Sequence, residues 1–155
     1  MNAIAVIDTS VLCRFLGVRD SKQEQEAVQA AYVERIKADE RMFLPLATIL
    51  ETGNHIGQMA DGNQRRRCAE LLRDVVQKAR QVPAAVPLLP LGDWRDEDIE
   101  SFLAQFPNWV GKGSGLGDLT IHYDWEQLCR VNAGRRVYIW TLDEHLAAFD
   151  RSPAI

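Results

Sequence analysis

The sequence has no apolar run approaching the ~18 residues that a membrane-crossing helix requires, so no membrane span is expected. It has no basic excess either. Its 18 lysines and arginines stand against 22 aspartates and glutamates, a net charge of −4. That balance disfavours a protein that coats nucleic acid through a general positive field. A local basic patch and an acidic cation site both stay open. Cysteine is scarce. Cys13, Cys68 and Cys129 are odd in number, far apart and form no C-x-x-C pair, so buried, reduced thiols are expected and a disulfide framework is not. The opening Met-Asn-Ala-Ile-Ala-Val-Ile-Asp carries no basic region, long apolar core or small-residue cleavage site. A cytoplasmic protein without a signal peptide is the expectation. Internal repeats and low-complexity tracts are also missing. The hydrophobic share of 46% and charged share of 26% are ordinary for a globular chain. The 155 residues are therefore read as one domain, 1–155.

What is present is an alternation of short apolar runs with helical patterns. Ala3 to Ile7 is wholly apolar and fits a strand buried on both faces. Val11 to Phe15 reads as a short helix that Gly17 could close. Ser21-Lys22-Gln23-Glu24 has capping-box spacing and opens a helix to about Ala38, with Val28, Ala31, Tyr32 and Ile36 at helical intervals. Met42-Phe43-Leu44 is a second strand, ended by Pro45, and Leu46 to Met59 is a helix. Asp61-Gly62-Asn63 is a turn before an amphipathic helix from Gln64 to Gln81. Val82 to Leu91, with Pro83, Pro87 and Pro90, reads as a loop or short edge strand. A helix begins at Asp93-Trp94-Arg95 and ends near Phe106; Gly111 to Gly115 is a loop; Leu116 to Val131 is a helix. Val137 to Trp140 is the last strand and Asp143 to Phe149 a final helix. The order implies a three-layer α/β/α sandwich around a central parallel sheet.

In such a sheet the functional residues gather at the carboxyl ends of the strands. Asp8 directly follows the first strand, Glu51 lies on the helix after the second, Asp118 opens the helix after the glycine loop, and Asp143 lies just past the last strand. Carboxylates brought together repel, by about 4 kcal/mol for a pair ~4 Å apart at an effective dielectric near 20. A fold retains such a group where something positive binds, and an all-oxygen set suits Mg²⁺ or Mn²⁺. Each acid also has a plainer reading. Asp8 and Asp143 could cap the following helices, Asp118 could stabilise a helix N-terminus, and Glu51 could be a solvated helix residue.

Four segments resemble the ordered motifs of PIN-domain nucleases: Ile-Ala-Val-Ile-Asp8-Thr9-Ser10, Leu46-Ala47-Thr48-Ile49-Leu50-Glu51, Leu116-Gly117-Asp118-Leu119-Thr120 and Thr141-Leu142-Asp143-Glu144. Their order and spacing cover nearly the whole chain, although 82–115 matches no motif. The resemblance implies a Mg²⁺- or Mn²⁺-dependent endoribonuclease. Asp8, Glu51, Asp118 and Asp143 would then hold the metal and position the attacking water, and Ser10 and Thr141 would support them. The size is similar to that of VapC-type toxins. That likeness implies a toxin–antitoxin setting, with RNA (a structured RNA such as tRNA included) as substrate, a small antitoxin as partner, and a homodimer as the assembly.

His122 lies four residues after Asp118 and His55 four after Glu51, each on the same helix face as its acid. His122 is assigned a supporting or phosphate-contacting place, with an ordinary hydrogen-bonded position as the alternative. His145 and Asp124 are assigned to solvated helix faces, with Asp124 a lesser candidate for the metal site, and Glu144 is available if Asp143 is not the ligand. Lys112 in the glycine loop, together with Arg65 and Arg66, are the candidate RNA contacts, and Trp94 and Trp109 could stack on unpaired bases. A HAD-like phosphohydrolase is the less favoured enzyme, because Ser10 stands where its second Asp would be. A phospho-receiver would need a lysine after Lys112, and none follows. A P-loop would need Ser or Thr where Gly113 stands. A PIN-like module that binds RNA or protein without cutting is the remaining alternative.

Overall fold

Four consecutive apolar residues form β1 (Ile4–Ile7), and all four are buried, as a strand covered on both faces requires. These and the following positions are taken from a computed structural model that describes residues 2–19, 21–81, 88–91 and 95–154. Asp8 stops the strand and caps α1 (Thr9–Leu16). Gly17 closes that helix at φ 74°, and the Val18 N–H bonds back to the Cys13 carbonyl at 2.9 Å. Ser21 caps α2 (Lys22–Lys37) by accepting from the Glu24 N–H. The capping box is only half made, because the Glu24 carboxylate turns instead to Arg14 Nε at 2.8 Å. Then follow β2 (Arg41–Pro45), α3 (Leu46–Gly57) and α4 (Gly62–Ala79). Asp61 Oδ1 accepts from the N–H groups of Asn63 and Gln64, so the expected turn is the cap itself.

The second half comprises β3 (Leu88–Leu91), α5 (Asp96–Val110), α6 (Leu116–Val131), β4 (Val137–Trp140), α7 (Glu144–Ala147) and β5 (Asp150–Arg151). Among the described residues the sheet order is β3-β2-β1-β4-β5. The pairs β1–β2, β1–β4 and β2–β3 are parallel, with Val6 opposite both Phe43 and Ile139. The sheet is not wholly parallel, because β5 runs antiparallel to β4.

Alternate residues of the central strands face opposite ways. Ala5, Ile7, Met42, Leu44, Tyr138 and Trp140 join one buried cluster with residues of α1 to α4. Ile4, Val6, Val137 and Ile139 join a second with Ala47 of α3 and residues of α6 and α7. Apolar cover on both faces holds the strands in register, so their carboxyl ends open on one edge. The three cysteines are buried and unpaired, and no helix among the described residues is long and apolar enough to cross a membrane.

Several boundaries differ from the sequence reading. The α5 helix continues past Phe106 because Pro107 falls in its last turn, where one missing donor disturbs little that follows. The expected last helix stops at Ala147, and the chain re-enters the sheet as β5. Ile36 is 41% exposed and outside the core, whereas Asp124, expected in solvent, is only 6% exposed. The expected loop at Val82 to Leu91 falls partly, and the helix start at Asp93-Trp94 wholly, outside the described residues.

Candidate active site

Three successive residues at the end of β1 set the geometry. The Asp8 carboxylate is 3% exposed, and its Oδ2 accepts from Ser10 Oγ at 2.6 Å and from Thr141 Oγ1 at 2.7 Å. Each hydroxyl is in turn an acceptor. Leu142 N–H donates to Ser10 Oγ at 3.0 Å, and Asp143 N–H donates to Thr141 Oγ1 at 2.9 Å. Each hydroxyl therefore has its single proton committed to Asp8, so the 3.3 Å approach of Ser10 Oγ to Thr141 Oγ1 involves no further proton. This lattice ties the end of β1 to the end of β4. It also shows why an Asp-x-Ser and a Thr-x-Asp occur at these two strand ends.

Glu51 is brought in from α3. Thr48 Oγ1 donates to the Ile7 carbonyl at 2.7 Å, which docks the first turn of α3 onto β1. One turn later Glu51 Oε2 accepts from Thr9 Oγ1 at 2.8 Å. On its other side lies Gly117, where an added Cβ would fall inside the Glu51 carboxylate. The glycine is thus needed for close approach. One residue on, Asp118 sits in the first turn of α6, near the Gly115 backbone amide, which works against the rise in its pKa. Asp143 caps α7, accepting from His145 N–H at 3.0 Å.

These acids line a single cleft of about 590 Å³ at the carboxyl edge of the sheet. Desolvation is the largest influence on Asp118, followed by the charges of Asp8, Glu51 and Asp143. Together they push its pKa up from 3.8 to about 6. The plainer readings hold at the same time: Asp8 and Asp143 are helix caps, and Asp118 does sit at a helix N-terminus. A residue can do both, because caps sit where strands hand over to helices, which is also where the cleft opens.

The structure brings Asp8, Glu51, Asp118 and Asp143 together with Ser10 and Thr141. Among the described residues, no three His, Cys, Asp or Glu side chains stand close enough around one point to hold a metal ion as placed. The four carboxylates nonetheless fit a hard cation in kind, with Cys13, His55 and His145 also in the cleft lining.

His122 is not brought to the cleft. It packs against Phe149, Trp109 and Trp125, with ring centroids 4.3, 5.1 and 5.5 Å away. Burial lowers its pKa, against the opposing effect of Glu126. Trp109 belongs to the same cluster, so the expected stacking platform is core, and Trp94 lies outside the described residues. Lys112, Arg65 and Arg66 do not line the cleft either. Arg65 Nη1 donates to the Met59 carbonyl, Arg66 pairs with Glu70 along α4, and Lys112 is exposed on the turn after α5.

Residues the sequence reading did not assign to the site stand there instead, and Arg14 and Arg19 it did not single out at all. Thr9, Arg14, Arg19, His55, Glu144 and His145 all line the cleft. Of these, His55 carried a signal, its spacing from Glu51, and Thr9 sat inside a motif. The arginines carried none. Neither a protein-family model nor a curated protein sequence matches the chain.

Proposed function

We propose that the protein is a metal-dependent endoribonuclease with a three-layer α/β/α fold of the PIN type, hydrolysing RNA phosphodiester bonds in the acidic cleft. One observation carries the reading. Four carboxylates far apart in the chain line one cleft, closely enough that three of them raise the pKa of the fourth. Like charge gathered in this way opposes folding, and a bound cation offsets it. Asp8, Glu51, Asp118 and Asp143 would hold Mg²⁺ or Mn²⁺. Such an ion, when bound, supplies Lewis acidity toward the phosphate and a more acidic water.

The chain's own residues do the rest. Ser10 and Thr141 hold Asp8 in one orientation, and Thr9 does the same for Glu51. Preorganised in this way, the acids need not reorder when substrate arrives. Without a cation Asp118 has its proton affinity raised toward neutrality by burial and by the neighbouring acids, and a cation held among them would favour its charged form. Arg19 supplies positive charge in the cleft lining toward a phosphate, while Arg14 is paired with Glu24.

The proposed setting is the toxin of a toxin–antitoxin pair acting on structured RNA such as tRNA, with homodimerisation as the assembly. A small antitoxin covering the cleft would bury Leu142, which lines the cleft and is 52% exposed. The second reading, a PIN-like module that binds RNA or protein without cutting, draws on the absence of a closed three-ligand group among the described residues.

The test is incubation of purified protein with total RNA and Mn²⁺, with EDTA, Asp8→Asn and Asp118→Asn as controls. Discrete fragments only from wild type with metal support the nuclease. Cleavage at the wild-type rate by Asp8→Asn would remove Asp8 from the chemistry. Bound Mn²⁺ without cleavage would favour the binding module.

A further inference from the structure

A second hollow of about 430 Å³ adjoins the acidic cleft, and Arg19 lines both. It lies between the α1–α2 corner and the α3–α4 turn, with Gly17, Lys22, Gln25, Met59 and Gln64 among its walls. The corner is tightly built. Gly17 takes a left-handed turn, an added Cβ there would meet Gln25 Nε2 at 2.9 Å, and that amide donates to the Phe15 carbonyl.

The two hollows differ in charge. The cleft holds five acids, Asp8, Glu51, Asp118, Asp143 and Glu144. Among the described residues lining it, the neighbouring hollow holds Arg19 and Lys22 against Asp61, and Asp61 Oδ1 is already engaged in capping α4. Among the described residues the Arg19 side chain has no ion-pair or hydrogen-bond partner. Lys22 reaches only Glu26, loosely, at 3.8 Å with both side chains largely exposed. Among the described residues neither cation has a close partner that an incoming anion would have to displace. A polyanion crossing the acid cleft meets positive charge on this side, whereas Asp143 and Glu144 elsewhere in the cleft lining are acidic. The hollow is concave and sized for one nucleotide unit, which suits an unpaired strand rather than the convex face of a duplex.

We propose that this hollow binds the single-stranded RNA flanking the bond to be cut, with Arg19 gripping the phosphate at the junction and Lys22 the next one along. The proposal rests on the nuclease reading of the cleft. Gln25 and Gln64 line the space where a base edge would lie, and their amides offer donors and acceptors to it.

The test is fluorescence anisotropy with a labelled uridine octanucleotide and the dinucleotide UpU, in EDTA so that nothing is cut, across a salt series. Arg19→Ala and Lys22→Ala are compared with Arg73→Ala, an exposed arginine of α4 already paired with Asp74. Each test substitution should weaken octanucleotide binding several-fold and reduce the log–log salt slope by about 0.7, the value for one phosphate contact on a single strand. Lys22→Ala should leave UpU binding unchanged, and Arg73→Ala should change neither ligand. Affinity and slope unaltered in both test variants would overturn the proposal, as would no binding by wild type or equal binding of a duplex octamer. Thermal melts guard against a folding defect, which two exposed side chains should not cause. Cleavage that survives both substitutions with unchanged KM would refute the hollow and leave the nuclease. Binding that depends on Arg19 and Lys22, in a protein that cuts no RNA with Mn²⁺, would do the reverse.

Discussion

Replacing Asp118 by asparagine should make the ion-free protein more stable at neutral pH while abolishing cleavage. The Asp118 carboxyl titrates at about 6, against 3.8 for an ordinary aspartate, because burial and then Asp8, Glu51 and Asp143 disfavour its charge. The folded pKa lies above the unfolded one. Below 3.8 both states hold the proton and there is no penalty. From 3.8 to about 6 the folded state keeps a proton the unfolded chain has released, so stability falls as pH rises. Above about 6 the penalty is complete. Two powers of ten in proton affinity correspond to ~3 kcal/mol. The partial exposure of the side chain reduces this to ~1–2 kcal/mol. For a chain of this size that is roughly 3–6 °C in Tm. The assay is a series of thermal melts in EDTA from about pH 4 to about pH 8. Asp118→Asn should melt higher than wild type at the upper end, with the gap closing at the lower. Added Mn²⁺ should raise the wild-type Tm by mass action and leave the variant unmoved, which narrows or reverses the order. A variant less stable than wild type at neutral pH in EDTA would refute the reasoning, as would a gap that persists at acid pH.

Gly117→Ala should displace the Glu51 carboxylate, since the new methyl would occupy its place; cleavage should fall at least ~10-fold, the effect of losing 1.4 kcal/mol of transition-state stabilisation, and a Glu51→Gln background should absorb most of that loss. Thr9→Val removes the donor to Glu51 and should lower stability by ~1–2 kcal/mol in urea melts, whereas Thr9→Ser should retain cleavage. Leu44→Ala, at a fully buried position of β2, should cost ~2–5 kcal/mol in the same melts. His122 has its pKa lowered by burial among aromatic rings. Below 6.5 the unfolded chain takes up the proton first, and stability drains as pH falls. His122→Phe should remove that loss, seen as a higher ratio of acid-side to neutral stability than wild type shows.

The central strands were legible because continuous apolar runs of this length have few other uses. Ile4–Ile7 and Val137–Trp140 are buried throughout, as their composition implied. The acids at the strand ends were legible for a related reason: a carboxylate directly after a buried strand has few places to go. The boundaries that shifted had local causes. Pro107 marked a stop that α5 overran, and β5 is two residues whose pairing with Val137 and Tyr138 exists only in the assembled sheet.

The candidate contacts moved most. Lys112, Arg65 and Arg66 were selected for charge, and charge carries no direction. Which way α4 presents its arginines depends on the face it buries, and that is fixed by Cys68, buried in the shared core with its thiol at the Leu16 carbonyl at the end of α1. His122 shared a helix face with Asp118 by spacing, yet Phe149, returning with β5, draws its ring into an aromatic cluster. Arg19 was invisible because nothing in its neighbours reveals that the turn after Gly17 faces the cleft.

The sequence by itself determined that this is an α/β chain and which acids stand at its strand ends, because strand burial and helix capping are decided within a few residues. Only the tertiary structure decided that Thr9 and Gly117 seat Glu51, that Ser10 and Thr141 share one oxygen of Asp8, and that Arg19 borders both hollows. Those relations join residues 42, 66 and 131 positions apart, and no local pattern records what lies across a fold.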